Sequence, residues 1–293
     1  MILIAGCGFL GSYLAKHIVS ETNEKIIATT RNKANLRPLA RVEYIECDIT
    51  KKADLCALKK VTGNEPLTVY WFAACHNIDY IFENRDDAYR INITALEAFF
   101  AEFTHIEKFF FASTDCVYGE NLPVSEKFTE SFVLTPVNEY GRQKILAEKL
   151  VLEKGFTVLR YPFMLGESLT DKKHFYDNIC QNLKNGTVTE MIDGMYRNVL
   201  SYRQAAELTY ELSLKTELPQ IINLCADRAM SKYEMGLILA KKHGADERLI
   251  KKITPLQGQK FFKDKRADCT YMDNSLLKKL TGRDKIIWEE EGC

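Results

Sequence analysis

The chain opens with MILIAGCGFLGSYLAKHI (Met1–Ile18), and these residues decide how the rest is read. A short apolar run, Ile2–Ala5, meets Gly6, Gly8 and Gly11 in G-x-G-x-x-G spacing, and an amphipathic stretch follows. Strand, tight turn and helix in that order form a phosphate-binding unit. Gly6 permits the turn, Gly8 lets the backbone approach a pyrophosphate, and Gly11 allows close packing of helix on strand. A helix beginning near Phe9 and Leu10 aims its first amides at the phosphates of a dinucleotide. A glycine turn with no ligand would look the same over these residues, so the remainder of the chain must decide.

The rhythm continues outward. KIIATT, VEYIEC, LTVYWFA, KFFFAS and FTVLRY are further strand candidates, rich in β-branched and aromatic residues. Amphipathic segments at 11–20, 84–103 and 138–154 lie between them. In 90–103, Ile91, Ala95, Ala98, Phe99 and Phe103 approximate one helical face. Strands alternating with helices predict a parallel sheet covered on both faces, with ligands at the carboxyl ends of the strands. After residue 161 the rhythm loosens, with helical patterns near 172–184, 203–215 and 231–242 and an apolar run, IINLC, at 221–225. The reading is α/β: a Rossmann-type, doubly wound parallel sheet over 1–160 that binds NAD(P). A smaller substrate-binding lobe over 161–293 is interlocked with it.

Composition narrows the function. The 293 residues suffice for a full core, and 40 basic residues against 40 acidic ones leave no footprint for nucleic acid. No apolar stretch is long enough for a transmembrane helix, and Met1 leads directly into the first strand, so a cytoplasmic protein is expected. The nine cysteines are scattered without a C-x-x-C pair and read as reduced, mostly buried thiols. The five histidines (His17, His76, His105, His174 and His243) show no metal-ligand spacing, so no metal is expected. The closing EEEGC reads as a solvated tail.

The second strand ends in Thr30 and Arg31, where an NAD-preferring site would carry an acid roughly 20 residues beyond the glycines. A guanidinium there suits a 2′-phosphate, which favours NADP and leaves NAD open. Asp48, followed by Ile49, ends the third strand where a carboxylate can meet the adenine amino group. Ala73 and Ala74 end the fourth in small side chains, as a closely approaching cofactor requires.

Of 14 tyrosines, Tyr140 alone is followed four positions later by lysine, Lys144. On a helix the two share a face. A free phenol titrates near pH 10, and bringing it to neutrality takes roughly 4 kcal/mol. A neighbouring ammonium works in that direction and would let Tyr140 pass a proton to a substrate oxygen. Ser113, Thr114 and Asp115 follow the central strand, where a hydroxyl can hydrogen-bond the same oxygen. A turn or helix cap would use the same three residues. His76, at the fourth strand's end, is a candidate substrate contact.

Together these motifs resemble the extended short-chain dehydrogenase/reductases of the epimerase/dehydratase superfamily. The shared order is Gly6-x-Gly8-x-x-Gly11, Asp48, FAA at 72–74, Asn92 in RINITAL, STDCVYG, Tyr140-x-x-x-Lys144 and VLRYP, which holds Tyr161. The resemblance implies that Tyr140 is the acid/base and that Thr114 orients the carbonyl. It makes Lys144 a ligand of the nicotinamide ribose that also lowers the phenol's pKa, and Asn92 an ordering residue near it. Tyr161 would be a further cofactor contact. Within the superfamily, AACHNIDYIFENRDDAYRIN, STDCVYG and MSKYEMGLILAKKHG with KRADCTYMD are similar to the dTDP-4-dehydrorhamnose reductase-like group. Cys75, His76, Cys116 and Ala267 depart from that group's pattern. Cys116 also stands where 4,6-dehydratases carry a catalytic glutamate, which ranks dehydration low. YRNVLS at 196–201 resembles the epimerase segment whose arginine binds nucleotide-sugar phosphates, making Arg197 and Asp115 candidate substrate contacts. Arg160, at a strand end, reads as structural.

The expected function is therefore reduction of a keto group on a (nucleotide-)sugar by NAD(P)H. A nucleotide-sugar epimerase using the same residues is the alternative. A non-catalytic, cofactor-binding regulatory protein is a third, the path taken by the β subunit of methionine adenosyltransferase. Family members are often dimers, so a homodimer is among the expectations.

Overall fold

The structure, a computed structural model, describes residues 1–120 and 125–288. The EEEGC tail and Cys293 lie outside them. Six strands, β1 (Ile2–Ala5), β2 (Ile26–Thr30), β3 (Val42–Glu46), β4 (Leu67–Trp71), β5 (Ile106–Thr114) and β6 (Thr157–Tyr161), pair in parallel in the order 3-2-1-4-5-6. The strand Ile221–Asn223 adds a seventh beyond β6, also parallel. This is the Rossmann order, and its switch point lies between β1 and β4.

Alternation along the strands builds two cores. Ile2, Ile4, Ala28, Tyr70 and Phe110 face helix α1 (Phe9–Glu21) and the helix Tyr202–Ser213. Leu3, Ala5, Ile27, Val69, Trp71 and Phe111 face the opposite helices, including Ala95–Glu102 and Glu139–Glu153. Strands buried on both faces carry almost continuous apolar sequence, which is why these runs stand out. A strand and a helix from beyond residue 200 thus complete the cofactor layer, and the chain crosses the 160/161 division on its way back. The C-terminal lobe has a four-stranded sheet in which Tyr196–Ser201 pairs with Phe163–Leu165, Ala229–Ser231 and Cys269–Thr270. A third core holds Ile179, Val199, Met230, Leu239 and Trp288.

The segment expected as one helix over 84–103 is divided. Asn77 caps a short helix, Ile78–Glu83, through a bond from Tyr80 N to its Oδ1. After Arg85–Tyr89 a π-type turn, Arg90–Thr94, precedes Ala95–Glu102. Local widening of this kind is frequent at functional sites, and here it carries the buried Asn92. The helix expected from 172 begins at Phe175, because the Asp177 carboxylate accepts from His174 N and caps it there. All eight described cysteines are free thiols. Among the described residues no helix is long and apolar enough to cross a membrane.

Candidate active site

The glycine turn behaves as its spacing predicts. Gly6 has φ 88°, and a Cβ there would lie 2.4 Å from Ala73 N. Close packing against the end of β4 therefore demands small residues at both Gly6 and Ala73, a reason for FAA that holds without any ligand. A Cβ on Gly11 would meet Gly6 O at 3.0 Å, within the strand–helix contact. A Cβ on Gly8 would meet nothing within 4 Å. That glycine opens onto the cleft, and α1 starts at the next residue with no side-chain cap on its amides. A dinucleotide pyrophosphate fits this cradle.

The cleft is a cavity of about 480 Å³, ordinary for a small-molecule site. Every residue expected to bind cofactor lines it: Gly6, Gly8, Phe9, Leu10 and Gly11 on one wall, and Arg31, Asp48 and Ile49 beyond β2 and β3. Ala73, Ala74, Tyr140, Lys144 and Tyr161 complete the set, with His76 beside them. Burial opposes ionisation of Asp48. Hydrogen bonds from Thr50 and the charges of Lys51 and Arg31 outweigh it and hold the carboxyl below its ordinary value. Cys7 is buried under the turn, Sγ 3.7 Å from Ser12 Oγ, and burial pushes its thiol up to about 11.

Tyr140 opens the helix Glu139–Glu153, whose N-cap Asn138 accepts from Gly141 N at 2.9 Å. Gly141 is required there, since a Cβ would lie 2.4 Å from Cys116 O. This contact seats the tyrosine against the end of β5. Lys144, one turn on, is buried. Its Nζ donates to Ala112 O at 2.5 Å and lies 4.3 Å from the Phe111 ring centroid. Burial pushes the ammonium down to about 7, against the pull of Glu148. Burial also raises the Tyr140 phenol, and Cys116 and Asp115 add to the rise, while the Thr114 hydroxyl opposes it as a hydrogen-bond partner. The net shift in the protein alone is thus upward, opposite to the lowering expected from Lys144. His76 stands in the mouth of the cleft, reached by solvent yet flanked by protein. That desolvation and the Lys144 charge lower its imidazole pKa.

The remaining expected site residues sit around this centre. Thr114 Oγ1 accepts from Cys116 N at 3.2 Å and donates to Asp115 Oδ1 at 3.0 Å, so it caps the turn after β5, and it does not line the cavity. Asn92 accepts from Cys75 N at 2.8 Å and donates to Cys75 O and Gln143 Oε1, each at 3.0 Å. It ties the π-type turn to the loop before His76 and to the Lys144 helix, without lining the cavity. Arg197 and Asp115 form an ion pair at 3.1 Å, and Thr270 Oγ1 donates to Asp115 at 2.6 Å. Ser113 donates to Glu148, and Glu148 holds Arg160 through two bonds of 3.0 and 2.7 Å. Arg160 also donates to Tyr118 at 2.7 Å, so it is structural as read.

The sequence reading passed over Lys232. Its ammonium lies 5.0 to 5.6 Å from the Phe175, Phe262 and Phe163 rings. Burial pushes it down to about 8, helped by the charges of Arg197 and Arg266. Arg266 also pairs with Asp79 at 2.9 Å, which pins the C-terminal lobe over the loop beside His76. The three phenylalanines come from separate segments, so no local pattern marks the cage.

The family model described as "NAD dependent epimerase/dehydratase family" matches residues 2–218. The chain belongs to that NAD-dependent family, whose members act as epimerases, dehydratases and reductases on sugar nucleotides. It is 27% identical over 223 residues to a protein of Bacillus subtilis named as an uncharacterized UDP-glucose epimerase, covering 69% of this chain and 68% of that one. The UDP-glucose 4-epimerase of Thermus thermophilus, solved with NAD, superimposes with a TM-score of 0.84 at 18% identity, covering 100% of this chain and 96% of that one. A hypothetical dTDP-4-dehydrorhamnose reductase from Sulfolobus tokodaii gives 0.80 at 21% identity, covering 99% and 98%. These two likenesses establish the fold.

Proposed function

We propose that the protein is an NADP(H)-linked reductase of a keto group on a nucleotide sugar. One observation carries this reading: the Tyr140 phenol lines the cleft that the glycine turn opens, and the Thr114 hydroxyl at the end of β5 is its hydrogen-bond partner. The dinucleotide, when bound, supplies the hydride. Tyr140 donates the proton to the carbonyl oxygen, Thr114 hydrogen-bonds that oxygen, and Lys144 hydrogen-bonds the ribose and favours the phenolate left behind. A phenol held neutral by burial suits a proton donor. Asn92 is a positioning residue that holds the His76 loop and the Lys144 helix in register. Arg31, directly after β2 and lining the cleft, supports NADP, since its guanidinium suits a 2′-phosphate. Arg197 and Lys232, with Arg266 nearby, support an anionic substrate such as a nucleoside diphosphate sugar.

The names of the relatives favour a second reading, epimerisation with the cofactor returned to its starting state. The two differ in a direct assay. Net oxidation of NADPH on adding a nucleotide-4-keto-sugar supports reduction. Interconversion of two nucleotide sugars without net change in NAD(P)H absorbance supports epimerisation. A regulatory protein would do neither, and the intact Thr114, Tyr140 and Lys144 set argues against that role.

A further inference from the structure

We propose that Gly166–His174 is a strap that closes over the adenosine half of the cofactor cleft, and that Lys172 on it joins Arg31 in holding a cofactor phosphate. The inference rests on the dinucleotide reading above but concerns residues of the C-terminal lobe.

The strap leaves the lobe at Gly166, where φ is 150°. It then reaches across to the loop that follows β2. Thr170 forms an antiparallel bridge with Leu36, and Asp171 N donates to Asn35 O at 3.0 Å. Tyr13 on α1 donates to Glu167 O at 2.9 Å. Thr170 and Lys172 line the same cavity as Gly8, Arg31, Asn35 and Leu36. A ligand lying on the glycine turn and reaching Arg31 therefore has the strap above it.

Lys172 lies two residues beyond the bridge to Leu36, and no ion pair or hydrogen bond engages its side chain or that of Arg31 among the described residues. Two unpaired cations on facing walls of one cavity, near the end of β2, make a place for an anion. Inside the cleft a dinucleotide offers its 2′-phosphate, if it is NADP, or its pyrophosphate.

The strap's ends and its middle are held differently. Ser168 and Thr170 hydrogen-bond within the strap, and the Asp177 carboxylate of the helix Phe175–Lys184 accepts from both Ser168 N and His174 N at 3.0 Å. Externally, beyond the short backbone bridge, the ties are the Tyr13–Glu167 hydrogen bond, a Phe9–His174 ring contact at 4.3 Å, and an Arg37–Asp171 pair at 3.7 Å with both side chains 61% exposed. Exposed pairs of this kind contribute about 0–1 kcal/mol. Asp177 and α1 thus anchor the ends, and the middle of the strap, Thr170–Lys172, is held to the loop after β2 by the bridge and this exposed pair. Cofactor entry and release then require the strap to lift.

The experiment is fluorescence titration of NADPH and NADH, with stopped-flow release of each, on the full chain and on Lys172→Gln. Removing one charge-assisted contact should weaken binding and speed release roughly tenfold. A loss confined to NADPH assigns Lys172 to the 2′-phosphate, and an equal loss for both assigns it to the pyrophosphate. Asp171→Ala, which loosens the strap and leaves Lys172 in place, should speed the release of both. Unchanged affinities and release rates in both variants overturn the proposal while the dinucleotide reading stands. An unmodified protein that binds neither nucleotide overturns both.

Discussion

Arg160 is buried and Arg197 half-buried, each beside a carboxylate, yet they are engaged differently. Arg160 spends its guanidinium on both oxygens of Glu148, on the Tyr118 hydroxyl and on a backbone carbonyl, with Tyr118 bonded onward to Asn223. The network is closed, so nothing remains for a ligand. Arg197 leans with one nitrogen on Asp115 and Cys116, near enough to Lys232 to feel its charge, and its side chain keeps 18% exposure. A closed network fixes the frame, whereas Arg197 commits one nitrogen to its partners. The same contrast separates the glycine cradle, built from backbone, from the lobe's cationic cluster, built from the side chains of Arg197, Lys232 and Arg266 brought from three segments.

The largest expected effect tests the open side of that contrast. Tyr140→Phe should lower kcat roughly a hundred- to ten-thousand-fold, with NADPH binding retained by fluorescence titration. Equal activity in the variant would break the assignment of Tyr140. Arg160→Met tests the closed side. It strands a buried Glu148, so unfolding by urea should show a loss of about 3–5 kcal/mol. Adding Glu148→Gln should restore part of it, since the uncompensated charge is then gone. Arg197→Gln should cost less stability and instead raise KM for the nucleotide sugar about tenfold, because a charge-assisted contact to phosphate is lost. If Arg197→Gln behaves like Arg160→Met, the distinction fails.

The smallest effect concerns pH. Lys144 titrates near 7 in the folded chain, against an ordinary value of 10.5. Between those values the unfolded chain binds the extra proton, so this site's contribution to stability rises with pH across that window. Below pH 7 both states are protonated and the penalty is complete. Lys144→Met should therefore stabilise the cofactor-free protein by about 1–2 kcal/mol at neutral pH, with the difference shrinking toward pH 10 in thermal melts, while abolishing turnover. A difference that grows with pH would contradict the burial of that ammonium.

Much of the frame was legible because its signals are local. Strand, turn and helix at Met1–Ile18, the apolar runs, and a tyrosine one helical turn before a lysine can each be read within a few residues. The division of the helix expected over 84–103 was not legible. It depends on Asn92 finding Cys75 and Gln143 from other segments, which no periodicity in 84–103 records. The Lys232 cage and the strap over Arg31 were hidden for the same reason.

By itself, the sequence determined the parallel sheet and the position of the glycine turn, and it singled out the Tyr140–Lys144 pair. Periodicity and glycine spacing act through backbone sterics, which depend only on near neighbours. The tertiary structure alone decided which charges are spent and which are free. Arg160, Arg197, Lys144 and Lys232 are each one basic letter until folding supplies or withholds a partner. Desolvation is a property of the whole surrounding volume and not of adjacent residues.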